Sequence, residues 1–240
     1  MLLIRVREVG TGKLVALNGQ ELPVLGRIAA YGERPQDEPG PAEGARAPYL
    51  ALCALARSAP GEPVQPLSAY VHPCASMDRI MLLDSDLERQ TLAILIAFQR
   101  RMAQRHQTVV TIAKPMESLG PAQREDGTPL PALIPDFVVT ARYPDGGERR
   151  VVVETMGYAD DGYRNRKLVL HPQMGRAAGA IAVVEHDFHV PAHWQQAWRD
   201  NRFKRLLWQS LGPDEHRAGA GDVQPHDRSD AARHRATCRA

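Results

Sequence analysis

Residues 133 to 174 read LIPDFVVTARYPDGGERRVVVETMGYADDGYRNRKLVLHPQM, and two acids, Asp136 and Glu154, stand in the two apolar runs of that stretch. A carboxylate in an apolar strand costs several kcal/mol to desolvate unless something compensates it. If the two strands are neighbours, the acids converge at one edge of a sheet. There they repel each other, and one pKa rises unless a divalent cation sits between them. Hard oxygen ligands suit magnesium or manganese. Such an ion polarises a phosphate and lowers the pKa of a bound water.

Behind the acids comes a cation-rich segment. Tyr163, Lys167 and His171 fall at i, i+4 and i+8 and share one helix face, with Arg164 and Arg166 flanking it. Lys167 lies thirteen residues after Glu154, where an ammonium could orient the water or neutralise charge on phosphoryl oxygens. The two arginines could grip phosphates, and Tyr163 and His171 complete a candidate nucleic-acid face. Lysine is scarce among the cations, present only at 13, 114, 167 and 204; Lys114, closing the run TVVTIA, is read first as a surface residue, with reach to a phosphate as the alternative.

The elements that must position these groups follow from periodicity and turn chemistry. SDLERQTLAILIAFQRRMAQRH, 85–106, is a helix with Ser85 as cap and Glu88 in capping-box spacing. Its apolar face is Leu87, Leu92, Ile94, Leu95, Ala97 and Phe98. TVVTIA, IPDFVVTARY and RRVVVETMGY are strands, the last two joined across Pro-Asp-Gly-Gly. DDGYRNRKLVLHPQMGRAA is a helix capped by Asp160 or Asp161, with Pro172 expected to kink it or start a new turn. GAIAVVEH is a strand of the type buried on both faces. A final helix starts near Pro191 and ends before Gly212, with Trp194, Trp198, Leu206 and Leu207 facing inward.

Upstream, MLLIRVREVGTGKLVALNGQELPVLGRI reads as two or three short antiparallel strands with an Asn18-Gly19 turn. The Pro/Gly/charge-rich run after Tyr31 is a linker or long loop, YLALCALARSA a short helix, and PGEPVQPLSAYVHPCAS irregular. The division is an N-terminal accessory region over 1–84, a core over 85–212 and a disordered tail over 213–240.

The IPDF and VVVE strands with a basic helix behind them resemble the PD-(D/E)XK nuclease superfamily, which includes restriction endonucleases, resolvases and TnsA-type nucleases. The order helix, three strands, helix, strand over 85 to 186 matches that superfamily's core. The resemblance implies a restriction-endonuclease-like α/β fold, a mixed central sheet flanked by helices. It implies Asp136 and Glu154 as the metal-holding acids, the carbonyl of Thr155 as a further Mg²⁺ or Mn²⁺ ligand, and Glu88 as the additional acid on the first core helix. The family's lysine stands two residues after the second acid. Here that residue is Met156, and Lys167 is placed to replace it.

The expectation is a metal-dependent DNA endonuclease or DNA-processing nuclease, with catalytic residues Glu88, Asp136, Glu154 and Lys167 and DNA as partner. The resemblance extends to a homodimer or larger DNA-processing complex. The alternatives are a catalytically silent nuclease-fold module for DNA binding or assembly in a mobile-element or conjugation system, and a protein-interaction domain with Arg-rich helices. Net charge is only +2, so DNA affinity must come from a local patch. Cys53, Cys74 and Cys238 lack metal-type spacing, and His72 to Cys74 lacks two further ligands nearby. With no leader and no membrane-length apolar run, the expected location is the cytoplasm.

Overall fold

The computed structural model describes residues 1–31, 47–57, 59–76, 78, 80–121, 126–157, 160–189 and 196–213. Two sheets organise it. The first carries β1 (Leu2–Gly10), β2 (Lys13–Ala16), β3 (Glu21–Pro23), β4 (Ile28–Ala30), β5 (Tyr49–Ala56) and β6 (Gln65–Pro73), in the order β3-β2-β1-β5-β6-β4. Gly12 (φ 69°) and Gly19 (φ 86°) supply the left-handed backbone that turns β1 into β2 and β2 into β3.

Two expectations are corrected in this region. Residues 49–56 form a strand rather than a helix, and 65–73, expected to be irregular, form a nine-residue strand beside it. Leu and Ala favour helices intrinsically, but Ala51 and Cys53 are buried while Leu52 and Ala54 between and beyond them are exposed. That is a period of two, imposed by antiparallel pairing with β1 on one side and β6 on the other. The register slips between Ala54 and Leu55, where Leu55 pairs with Pro66. A bulge there accommodates a residue that has no N–H to donate.

The second sheet follows the expected order of elements. It runs α1 (Asp86–His106), β7 (Val109–Ala113), β8 (Phe137–Arg142), β9 (Glu148–Met156), α2 (Asp161–Ala178), β10 (Ala182–Asp187) and α3 (Gln196–Leu211), with strand order β10-β9-β8-β7. β7, β8 and β9 are antiparallel neighbours, and β10 joins parallel to β9 after the α2 crossover. The sheet is therefore mixed and flanked by helices, the α/β architecture expected.

Side-chain parity along β9 decides what each residue meets. Val151 and Val153 pack in the large core with Leu92, Leu95 and Phe98 of α1 and Phe203, Leu207 and Leu211 of α3. Val152 points the other way, into a smaller core with Leu133, Met174 and Ala178. Glu154 therefore shares the α2 face with Val152, and Thr155 shares the α1 face with Val153.

Ser85 caps α1 by accepting the Glu88 N–H at 3.2 Å, and Asp160 caps α2 by accepting the Tyr163 N–H at 2.7 Å. α2 continues as helix through Pro172 rather than restarting there. On α1, Ala97 is exposed, and the buried set also includes Glu88, Thr91 and Met102. On α3, Trp198 is 40% exposed rather than inward, and Phe203 takes its place in the core. Pro191, Trp194, Cys238, most of the Pro/Gly-rich linker and nearly all of the tail lie outside the described residues. Cys53 and Cys74 are free and buried. No described helix is long and apolar enough to cross a membrane.

Candidate functional site

The site forms where β8 begins and β9 ends. Phe137 pairs with Val153, so the same register carried one step further sets Asp136 opposite Glu154. Asp136 lies just before the strand, and its carboxylate turns toward β9. Its Oδ2 accepts the Thr155 N–H at 2.6 Å, and its own N–H donates to Glu154 Oε1 at 3.3 Å. The two acids thus converge at one end of the sheet.

Glu154 is completely buried. Lys167 of α2 donates to its Oε2, and Lys167 is the cation nearest that carboxylate. Burial raises the Glu154 pKa above the ordinary carboxylate value, and the neighbouring Asp136 charge raises it further against the opposing pull of Lys167 and His171. Burial works to lower the Lys167 ammonium, but Glu154 and Asp136 outweigh it and hold the group above its usual value.

A second ion pair stands close enough to Asp136 to feel its charge. Glu88, buried on the first turn of α1, accepts from Lys114 Nζ at 2.7 Å and from the Asp84 N–H at 3.0 Å. The capping box is therefore only half formed: Glu88 reaches past its cap to Asp84. Lys114 also meets Asp84 Oδ2 at 3.0 Å, and its side chain is only 6% exposed, which corrects its reading as a surface residue. Burial, then the Asp136 charge, push the Glu88 carboxyl up to about 7 despite Lys114. Lys114 itself is lowered by burial but raised more by Glu88, Asp84 and Asp136. Asp84 lies 3.7 Å from His72 Nε2, and the Tyr31 ring sits 4.1 Å from the His72 ring, so the first sheet borders this side.

The remaining expected residues lie on α2. His171 is buried rather than presented to solvent. Its Nδ1 lies 3.2 Å from Glu185 Oε1, and its Nε2 faces Glu154 Oε2 at 3.9 Å with no hydrogen-bond partner among the described residues. Arg164 pairs with Asp187 through two contacts, at 2.6 and 3.3 Å, so it is held to the end of β10. Arg166 is exposed. The Tyr163 ring lies 5.9 Å from the Lys167 ammonium. Met156, in the usual lysine position, is buried.

Asp84, Lys114, Thr91, His186 and Glu185 do not stand out in the sequence as site residues. Lys114 carries one usable signal, its place as a scarce lysine closing the strand beside the acid-bearing one. The others join through contacts between residues far apart in the chain.

The donor set can be tested against a divalent ion. Three carboxylates, Glu88, Asp136 and Glu154, face two ammonium groups, with Asp84 at the rim. Burial first, and then the shared Asp136 charge, raises both Glu88 and Glu154. The orphaned His171 Nε2 points at the same place. Hard oxygens carrying an excess charge fit magnesium or manganese. Among the described residues, no group of three or more His, Cys, Asp or Glu side chains is already gathered in ligand geometry.

Comparison with known proteins bears on the same region. The profile of the family described as "Restriction endonuclease-like C-terminal domain" matches residues 84–209. A protein of Escherichia coli described as "Uncharacterized protein in cib 5'region" is 35% identical over 132 residues, 55% of this chain and 59% of that protein. The chain thus covers less than two thirds of that relative's length. No solved structure matches.

Proposed function

This chain belongs to the restriction endonuclease-like C-terminal domain family, within the PD-(D/E)XK superfamily, and from that premise we propose that it is a metal-dependent nuclease acting on DNA. The observation that carries this reading is the convergence of Asp136 and Glu154 at one sheet end with Lys167 bonded to Glu154.

Asp136, Glu154 and the Thr155 carbonyl would hold Mg²⁺ or Mn²⁺. The Thr155 N–H faces Asp136. In a strand, a residue's N–H and C=O point toward the same neighbour, so its carbonyl opens on that side too. A bound ion supplies a Lewis acid for the phosphate and a lowered pKa for water.

The protein's own groups do the rest. Lys167 takes the part of the motif lysine that Met156 cannot. It reaches the second acid from one face of α2, and it can shift from Glu154 to an attacking water or to a phosphoryl oxygen. Lys114 balances Glu88 and presents a second ammonium for charge developing on the phosphate. Arg166, exposed beside Lys167 along α2, is available to a flanking phosphate, and Tyr163 borders the ammonium. Arg164 orders the α2–β10 junction through Asp187 and so positions the face rather than touching substrate. Residues 1–84 act as an accessory region that borders the site through His72 and Tyr31.

One observation favours a second reading, a silent nuclease-fold module: Lys167 already neutralises Glu154, and no ligand cluster stands ready among the described residues. The deciding experiment offers single-stranded, duplex and branched DNA, and RNA, to the full chain with Mg²⁺ or Mn²⁺. The nuclease reading expects metal-dependent cleavage abolished in Glu154→Gln. Salt-sensitive DNA binding without cleavage under any metal establishes the silent module instead.

A further inference from the structure

Behind the candidate site, four polar residues from four elements form one line, buried at Thr155, Thr91 and His186 and reaching the partly exposed Asp200. His186 of β10 has no exposed surface, and neither does Thr91 of α1. His186 Nε2 lies 3.3 Å from Asp200 Oδ1 of α3. Its Nδ1 lies 2.9 Å from Thr91 Oγ1. Thr155 of β9 donates from its own Oγ1 to Thr91 Oγ1 at 3.1 Å. The main-chain N–H of that same Thr155 holds the Asp136 carboxylate.

The protons in this line can be placed. A carboxylate only accepts, so the imidazole nitrogen beside Asp200 carries the hydrogen. In the neutral ring Nδ1 is then an acceptor, and the Thr91 hydroxyl donates to it. The Leu87 carbonyl, 3.0 Å from Thr91 Oγ1, competes for the same hydrogen. Giving the hydrogen to Leu87 would make the ring donate from Nδ1 and turn a bare Nε2 on the Asp200 carboxylate, two acceptors face to face. The consistent arrangement has every donor aimed one way, from Thr155 to Thr91 to His186 to Asp200. Aromatic neighbours clamp the ring in this orientation: it stacks on Phe203 at 4.4 Å and 8°, and Phe188 lies 4.3 Å away.

An acid, a histidine and a hydroxyl in series also describe a hydrolytic triad. Thr91 is sealed from solvent, so no substrate reaches it, and a nucleophilic role is ruled out by access. What the line does touch is the frame of the site. Thr91 stands one turn beyond Glu88 on the same face of α1, and Thr155 follows Glu154 on β9. We infer that Asp200, His186 and Thr91 are positioning residues: through the Thr155 hydroxyl they lock the end of β9 to α1, so that the Thr155 amide and carbonyl and the Glu88, Asp136 and Glu154 carboxylates are held in one geometry.

This inference rests on the nuclease reading for its use, and its test separates the two. Thr91→Val keeps the shape of the side chain and removes only the hydroxyl; Thr91→Ser restores it. The first measurement is amide hydrogen exchange in the full chain. In Thr91→Val, the Thr155 amide should exchange roughly five- to tenfold faster relative to Val151 and Val153, the loss expected for one hydrogen bond, while Thr91→Ser stays at the wild-type rate. The second is Mn²⁺ affinity and, for cleavage, kcat against KM. Metal affinity or kcat should fall about ten- to a hundredfold in Thr91→Val with KM for DNA unchanged.

Asp200→Asn should reproduce the exchange effect from α3, about 100 residues along the chain from Thr91. If Thr155 exchange in a folded Thr91→Val protein equals wild type, the positioning role is overturned, whatever the activity. If exchange changes as stated but the wild-type chain neither binds Mn²⁺ nor cleaves, the lock stands and it is the nuclease reading that fails.

Discussion

Asp136 and Thr155 are nineteen residues apart, yet the Asp136 carboxylate accepts the Thr155 main-chain N–H at 2.6 Å, just past the last paired residues of β8 and β9. The bond occupies a position where a ladder hydrogen bond would otherwise run, and it turns the acid inward beside Glu154. A like charge placed there is a cost that folding alone does not require. Asp136→Asn keeps a side-chain oxygen for Thr155 and removes that charge. The metal-free variant should melt higher than wild type, by about 2–4 °C for each kcal/mol of repulsion relieved. Its Mn²⁺ affinity and any cleavage should fall at least about a hundredfold. Thermal melts with and without Mn²⁺ check both; equal melting and equal affinity would contradict the geometry.

The two lysines should separate into different roles. Lys114→Met leaves Glu88 buried without its ammonium, so stability in urea should drop by roughly 1–3 kcal/mol. The Glu88 titration, already pushed up to about 7, should move higher still. Lys167→Met should cost less stability, because α2 is partly exposed there and Glu154 can take up a proton. It should reduce kcat about a hundredfold or more while leaving KM for DNA near wild type. A large stability loss in Lys167→Met with no change in turnover would reverse the assignment.

The core of this arrangement is readable in the sequence because the relevant signals are local. Apolar runs, the Pro-Asp-Gly-Gly turn and the Ser85 and Asp160 caps place α1, β7 to β10, α2 and α3 in order, and the i, i+4, i+8 spacing puts Lys167 and His171 on the face that meets Glu154. What escapes is set by long-range pairing. Residues 49–56 are rich in good helix formers and become a strand only because β1 and β6 flank them. Lys114 resembles a surface residue in the sequence because its partners, Asp84 and Glu88, arrive from α1 and the segment before it. Arg164 and His171, expected to face nucleic acid, are drawn in by Asp187 and Glu185 of β10, a strand whose sequence reads simply as buried. Glu88 is visible as a capping residue, but its carboxylate accepts from the Asp84 N–H and from Lys114, a partner 26 residues away.

His186 gives the fold a defined response to acid. Burial is the largest influence on it and pulls its pKa down to about 4 from 6.5, although Asp200 works the other way. Between those values the unfolded chain binds more protons at this position than the folded one. Stability therefore rises with pH across the window and is lost as pH falls from 6.5 toward 4, by up to about 3 kcal/mol. Glu88 slopes oppositely: its raised pKa makes the folded chain hold a proton that the unfolded chain has released, so its contribution declines as pH rises from 4.5 to 7. The His186 effect is therefore read as the difference between wild type and His186→Gln in urea titrations from pH 4 to 7. That difference should narrow steadily on acidification; a difference independent of pH would show that His186 does not titrate in this way.

The most direct test of the two-acid site is titration of Mn²⁺ into the wild-type chain, Asp136→Ala and Glu154→Ala, by calorimetry at pH 8 and pH 6. A shared site predicts one ion per chain at pH 8, binding weakened at pH 6 where Glu88, pushed up to about 7, retains its proton, and binding lost in each variant. Binding that survives both substitutions, or a wild-type chain that takes up no Mn²⁺ at pH 8, would contradict it.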